Sequence, residues 1–168
     1  KALLSLKDLK LLGRLEELAG AGVSSFKIEG RLKNESYVRN VVREYSIALD
    51  KIVNSHSDKY RRASFGKVTS SFVPCLDKTF NRGYTSLFID GVKGKWAAMD
   101  AAKGMGEEIG KISSVKKISG GRNLELTLSL KNGVSLSNGD GFSLVGRRSE
   151  IIGFRGDICQ GDKIVCKA

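Results

Sequence analysis

Histidine is almost missing: His56 stands alone in 168 residues. No histidine accompanies a serine or cysteine in any recognisable motif, so the nucleophile–base pairing of hydrolases is absent. Cysteine is scarce as well. Cys75, Cys159 and Cys166 show no CxxC spacing and no histidine-rich company, which argues against metal ligation, and no metal is expected in this chain. Reduced structural thiols of a cytoplasmic protein fit that usage, while a disulfide between Cys159 and Cys166, which flank a candidate strand, stays open. There is no phosphate-binding glycine loop and no signal-peptide pattern. No apolar run approaches the ~20 residues that a membrane-crossing helix needs, so no membrane partner is expected. The chain opens at Lys1, and its only methionines are Met99 and Met105. The expectation is a fragment of a longer protein, not catalytic by itself.

Positive charge is what the chain has in excess. Lys and Arg number 29 against 18 Asp and Glu, a net charge of +11 with a pI near 9.7. The basic and acidic residues number 13 and 8 in residues 1–66, 9 and 5 in 67–120, and 7 and 5 in 121–168. The first two thirds therefore carry most of the excess, which favours a polyanionic partner such as RNA. A hydrophobic content of 40% and a charged content of 28% are those of a folded globular protein. A chain of this length holds one good core or two small ones.

Ser5 to Ala19 reads as a helix. Ser5 with Asp8 three residues on resembles a capping box, and Leu9, Leu12, Leu15, Leu18 and Ala19 recur at three- and four-residue spacing. Ser24 to Arg31 then reads as a strand that sets Phe26 and Ile28 on one face and Lys27 and Glu29 on the other, with Gly30 as the exit. From the N-cap Asn34, a helix carries one apolar stripe through Val38, Val41, Val42, Tyr45, Ala48, Leu49, Ile52 and Val53. Helix, glycine turn, strand and helix make an α/β rhythm. One strand cannot close a sheet, so this piece either ends a larger barrel or pairs elsewhere. Charges at the C-terminal end of a barrel strand lie where active sites are built. Lys27, Glu29 and Arg31 are thus candidate catalytic-rim residues, with a mutually satisfied ion-pair cluster as the alternative.

Residues 54–66 read as a polar, basic linker. Lys59, Arg61, Arg62 and Lys67, interleaved with Tyr60 and Phe65, suit RNA: cations for phosphates, aromatics for unstacked bases. A solvated connector is the alternative, and His56 in such a loop reads as exposed. In Phe80-Asn81-Arg82-Gly83-Tyr84, an arginine held by a glycine turn suits a phosphate or a carboxylate, so Asn81, Arg82 and Tyr84 join the candidate substrate-binding set. From Gly106 onward the style changes to short strands over 109–115, 124–130, 141–145, 150–154 and 163–166. Gly120-Gly121 and Asn132-Gly133 mark turns between them. Asn138-Gly139-Asp140 before Phe142 echoes Gln160-Gly161-Asp162 before Ile164. That echo resembles the small barrels of translation-factor second domains, and closure would remove exposed edges.

Three blocks carry a family resemblance. Lys7-Asp8-Leu9, Leu15 to Leu18, Ala21-Gly22-Val23, Lys27-Ile28-Glu29-Gly30-Arg31, Lys33 and Tyr37-Val38 form the first. Phe80-Asn81-Arg82-Gly83-Tyr84-Thr85 with Phe88 and Gly91 forms the second. Lys103-Gly104 and Gly106-Glu107 leading into Ile109-Gly110-Lys111-Ile112 form a looser third. Together they resemble the U32 family, collagenase-like peptidases that include hydroxylases of ribosomal and transfer RNA. The resemblance implies an α+β chain. Residues 1–58 would be the C-terminal remnant of a β/α-barrel catalytic domain, 59–105 a basic connecting segment, and 106–168 a small antiparallel β-barrel. It also implies a missing upstream catalytic domain as a partner. For the RNA-hydroxylating members, an upstream cysteine set implies an iron–sulfur cluster; none of it carries over to Cys75, Cys159 or Cys166. The expected role is the RNA-docking and active-site-rim portion of an RNA base hydroxylase. The alternatives are part of a collagenase-like peptidase, or a non-catalytic interaction domain.

Overall fold

A computed structural model of the chain describes residues 5–31, 33–91, 94–97, 104, 106–118, 120–146 and 150–167. Lys103, in the third of the blocks above, lies outside the described residues. The fold mixes helix and strand in two compact units, Lys1–Gly106 and Glu107–Ala168.

The first unit starts extended. Strand β1 (Asp8–Leu9) pairs in parallel with the sequence-distant strand β2 (Tyr84–Thr85), with Asp8 opposite Tyr84 and Leu9 opposite Thr85. In addition, the Lys7 amide donates to the Trp96 carbonyl at 3.0 Å, and Leu6 bridges Ala97. The helix expected from Ser5 is therefore corrected. A 3₁₀ turn at Leu12–Arg14 leads into the short helix α1 (Leu15–Gly20), and the residues before it are extended. Main-chain partners some 75 to 90 positions away, well beyond the reach of local propensity, hold residues 6–10 as strand. Leu15 alone in α1 is fully buried.

The strand expected at 24–31 is not formed either: residues 23–30 carry no ladder partner among the described residues. Alternation specifies a face, but a strand exists only where a neighbour takes its main-chain hydrogen bonds. The second helix follows the sequence closely. It spans Glu35–Ser55 (α2), capped by the Asn34 side chain, which accepts from the Tyr37 amide at 2.9 Å. Val41 is buried, and Val38 and Val42 are each 45% exposed. Polar side chains one turn apart on α2 stitch down the later chain: Asn40 accepts from the Cys75 amide and Glu44 from the Leu76 amide. Arg43 donates to the Val68 carbonyl at 2.7 Å.

The second unit is all antiparallel. β3 (Gly110–Lys117), β4 (Asn123–Leu130), β8 (Lys163–Lys167) and β7 (Ile158–Gln160) make a four-stranded sheet in the order β3-β4-β8-β7. β5 (Gly141–Val145) and β6 (Ile151–Arg155) make a separate ribbon. Strand β7 is a short one that the sequence pattern did not mark. The alternation of β4 holds: Leu126 and Leu128 meet Ile164 and Cys166 in the core, with Phe142 and Phe154 of the ribbon packed against it. Their two rings stack at 5.4 Å. A Cβ at Gly110 would lie 2.3 Å from the Ser129 carbonyl oxygen, so the close approach of β3 to β4 requires glycine there. Cys75, Cys159 and Cys166 are free thiols, which removes the disulfide between the last two. Burial raises the pKa values of Cys159 and Cys166, aided by Asp140 and Asp157 respectively, so neither is an activated thiolate. Among the described residues no helix is long and apolar enough to cross a membrane.

Candidate functional site

The parallel pairing of β1 with β2 brings together two of the blocks singled out in the sequence. Asp8 is their meeting point. One carboxylate oxygen accepts from the Arg82 amide at 2.9 Å, and the other lies 3.6 Å from the Lys33 ammonium. The side chains of Lys33 and Asp8 are only 12% and 25% exposed. Lys33 also donates to the Phe80 carbonyl at 3.2 Å, and its Nζ stands 4.4 Å from the Phe80 ring centre and 4.8 Å from that of Tyr37. A half-buried ammonium with a carboxylate, a carbonyl and two π-faces is well compensated. The cluster ties the entry of α2 to both strands. A Cβ at Gly104 would come within 2.8 Å of the Phe80 ring, so the chain preceding the second unit is also pressed onto this block.

Within the block, each residue has its own task. Asn81 is buried: its amide donates to the Thr79 carbonyl at 2.9 Å and its oxygen accepts from the Gly83 amide at 3.0 Å. These bonds shape the turn. Gly83 has φ +82°, a left-handed conformation that lets the chain enter β2 directly. Tyr84 donates its hydroxyl to the Leu76 carbonyl at 2.8 Å, with the Lys10 ammonium 4.5 Å above its ring. Burial pushes the Tyr84 pKa up to about 12; a Thr79 hydrogen bond opposes this, and Asp77, Tyr37 and Asp8 add to it. Tyr37 is likewise raised, first by burial and then by Asp8. Arg82 differs from its neighbours. Its main chain is held by Asp8, but its Nε is buried with no hydrogen-bond partner among the described residues. A native structure rarely leaves such a donor unmatched, so the guanidinium suits an acceptor that comes from outside the described residues.

Lys27, Glu29 and Arg31 do come together, as a surface chain of ion pairs. Glu29 bonds Lys27 at 2.9 Å and Arg31 at 3.5 Å, and the two cations are 83% and 90% exposed. Pairs this exposed contribute little to stability. In the linker, Arg62 is committed to Asp50 of α2 at 3.2 Å, whereas Lys59, Arg61 and Lys67 are exposed. Phe65 is fully exposed; Tyr60 instead packs edge-on against His56 at 6.2 Å. His56 stands in the turn that ends α2. It caps α2, and its Nε2 lies 2.8 Å from Glu16, so it is bonded to a carboxylate and not to a serine or cysteine. Asp8 and Lys33, the centre of the cluster, were not singled out as site residues from the sequence. Their signal was present in the matched strings, but the Asp8–Lys33 contact spans 25 positions and no local pattern reveals it.

A model of peptidase family U32 matches residues 1–98. The 23S rRNA 5-hydroxycytidine C2501 synthase of Escherichia coli is 40% identical over 155 residues, covering 92% of this chain and 22% of that protein. A collagenase of Porphyromonas gingivalis is 34% identical over 95 residues, 56% of this chain and 24% of its own length. The tRNA hydroxylation protein P1 of Bacillus subtilis is 31% identical over 91 residues, 54% of this chain and 20% of its own. The chain thus spans between a fifth and a quarter of these relatives. No solved structure matches it significantly.

Proposed function

The chain belongs to peptidase family U32, and from that premise we propose that it is the C-terminal, active-site-rim and RNA-docking portion of an RNA base hydroxylase. One observation carries this reading. An alignment of 155 residues necessarily takes in both units, and it is to an rRNA-modifying protein. The collagenase alignment, at 95 residues, is shorter than the first unit alone.

The roles of the residues follow from their surroundings. Asp8 and Lys33 hold the two motif blocks in register, and Asn81 and Gly83 shape the turn that presents Arg82. The unmatched Arg82 donor is assigned to an acceptor of the substrate or of the upstream catalytic domain. Lys27, Glu29 and Arg31 form a charged rim. Lys59, Arg61 and Lys67 contact phosphates, and Phe65 offers an unoccupied face for a base; Arg62 positions the linker through Asp50. The exposed Leu6, Leu9, Val38 and Val42 of the first unit fit burial against the upstream part of a β/α barrel, of which this unit would be the end. The sheet and ribbon of the second unit would form the small barrel-like module that follows. A cytoplasmic location goes with an RNA substrate.

The residues of this chain do not fit an iron–sulfur cluster. No group of three or more His, Cys, Asp and Glu gathers among the described residues, and Cys75 belongs to a different unit from Cys159 and Cys166. The cluster that the family resemblance implies is kept as a proposal for an upstream domain, and the docking and rim roles do not pass through one. The collagenase relative favours a second reading, as part of a peptidase. Mass spectrometry of ribosomal and transfer RNA from cells with and without the full-length gene separates the two. The expected result is the loss of one oxygen from a defined nucleotide in the deletion strain. RNA masses that are identical at every position would sink the hydroxylase reading and leave the peptidase and interaction-domain readings.

A further inference from the structure

The charges of the second unit balance at one end of its sheet, where Lys111, Lys131 and Lys163 accompany the acids, and leave a cationic excess at the other. Ten Lys and Arg stand against seven Asp and Glu in residues 107–168, a modest excess of three. Their placement matters more than the total. At one end of the sheet lie Glu107 and Glu108, which precede β3, and Asp162 in the turn between β7 and β8, whose carbonyl accepts from the Leu128 amide. Glu108 is paired with Lys131 at 3.0 Å at that end.

The opposite end is the β3–β4 hairpin. The register sets Lys116 opposite Glu125, Lys117 opposite Leu124, and Lys167 of β8 opposite Asn123. Arg122 immediately precedes β4. All four cations are exposed. The ion pairs formed among the described residues of this unit join Glu108 to Lys131 and Glu125 to Lys163, and neither engages the four. The acids on the adjoining strands are Glu125, which lies opposite Lys116 and is paired with Lys163 at 3.5 Å, and Asp157, which lies beside Cys166 and hence next to Lys167, so two acids stand against the four cations.

Alternation places Lys116 and Lys167 on the face that also carries Glu125, with β4 between them, and Lys117 on the other face beside Leu124, so with Arg122 at the turn the four ring this end of the sheet from both sides. Like charges so placed repel one another and raise a local positive potential, which an extended polyanion relieves by releasing its counterions. Ser114 and Thr127 lie opposite each other on the face that also carries Lys116 and Lys163, adding hydroxyl donors beside the cations. We propose that the hairpin end formed by Lys116, Lys117, Arg122 and Lys167 is a contact surface for the phosphate backbone of the RNA. This rests on the hydroxylase reading and extends it, since it gives the second unit a docking surface separate from the linker.

The test is filter binding of a labelled 23S rRNA fragment to the full-length protein across ~50 to 200 mM salt. The quadruple variant Lys116→Gln, Lys117→Gln, Arg122→Gln and Lys167→Gln is compared with a charge-keeping one, Lys116→Arg, Lys117→Arg, Arg122→Lys and Lys167→Arg. The expected result is a salt slope shallower by about 3 in the first variant, from roughly 0.7–0.9 per phosphate contact, with the second variant indistinguishable from wild type. Wild-type binding with an unchanged slope in the first variant overturns this surface and leaves the hydroxylase reading standing. Equal losses in both variants also overturn it, because charge would then not be the cause. If the first variant loses affinity only for polyglutamate, the surface belongs to an acidic protein and the proposal fails. Failure of the wild-type protein to bind RNA at all removes this surface together with the docking role.

Discussion

Tyr84 shows what a single residue in the block does. Its hydroxyl is tied to the Leu76 carbonyl, and burial pushes its pKa from 10.0 to about 12. The folded value lies above the unfolded one. The stabilisation is therefore fully present below pH 10 and is lost as pH rises towards 12. Urea unfolding followed in the first unit should give a midpoint that is flat up to about pH 9 and falls between about pH 10 and 12. Tyr84→Phe should begin less stable by about 1 kcal/mol, for the lost hydrogen bond, and then fall less steeply. An equally steep fall in the variant would shift the alkaline loss to Tyr37 and Tyr45, whose pKa values burial also raises. The sequence marked the aromatic and its neighbours Asn81 and Arg82. It could not separate their roles, since whether Asn81 faces a ligand or its own turn depends on which carbonyls lie within about 3 Å.

Elements divide by how local their causes are. Helix α2 was legible because its cap, its apolar stripe and its stop lie within one stretch of chain. Strand β4 was legible because two-residue alternation puts Leu124, Leu126, Leu128 and Leu130 on the side that faces Ile164 and Cys166. β1 was misread as helix, because its leucine spacing suits a helix while its hydrogen bonds go to residues 83–85 and 96. Core weight can be tested within one sheet. Ile164 is fully buried and Ile158 is 55% exposed. Ile164→Ala should cost about 2–5 kcal/mol, a large share of what so small a unit has. Ile158→Ala should cost about 0.5 kcal/mol or less. Thermal melts of the two variants check this, and equal losses would place the core on the other face of the sheet.

At the scale of the whole molecule, the chain divides between Gly106 and Glu107 into two compact units. The second gathers Leu126, Leu128, Ile164 and Cys166 under the rings of Phe142 and Phe154, a cluster of its own. Residues 107–168 expressed alone should therefore give a cooperative thermal transition, although a domain of about 60 residues is marginal. A featureless melt, or one that needs residues 1–106 to be restored, would make the core a shared one.

The sequence by itself determined the charge excess, the change of style near residue 106, the helix from Asn34 and the family of the chain. Those are properties of composition and of short-range pattern, which survive without a partner. Only the tertiary structure decided that residues 6–10 are extended and paired, that 23–30 have no ladder among the described residues, and that Arg62 is spent on Asp50. The Asp8–Lys33–Phe80 cluster and the four cations at one end of a sheet were settled in the same way. Each of these depends on which distant main-chain or charged group arrives beside a residue, and hydrogen bonds and ion pairs act over a few ångströms of space, whatever the separation along the chain.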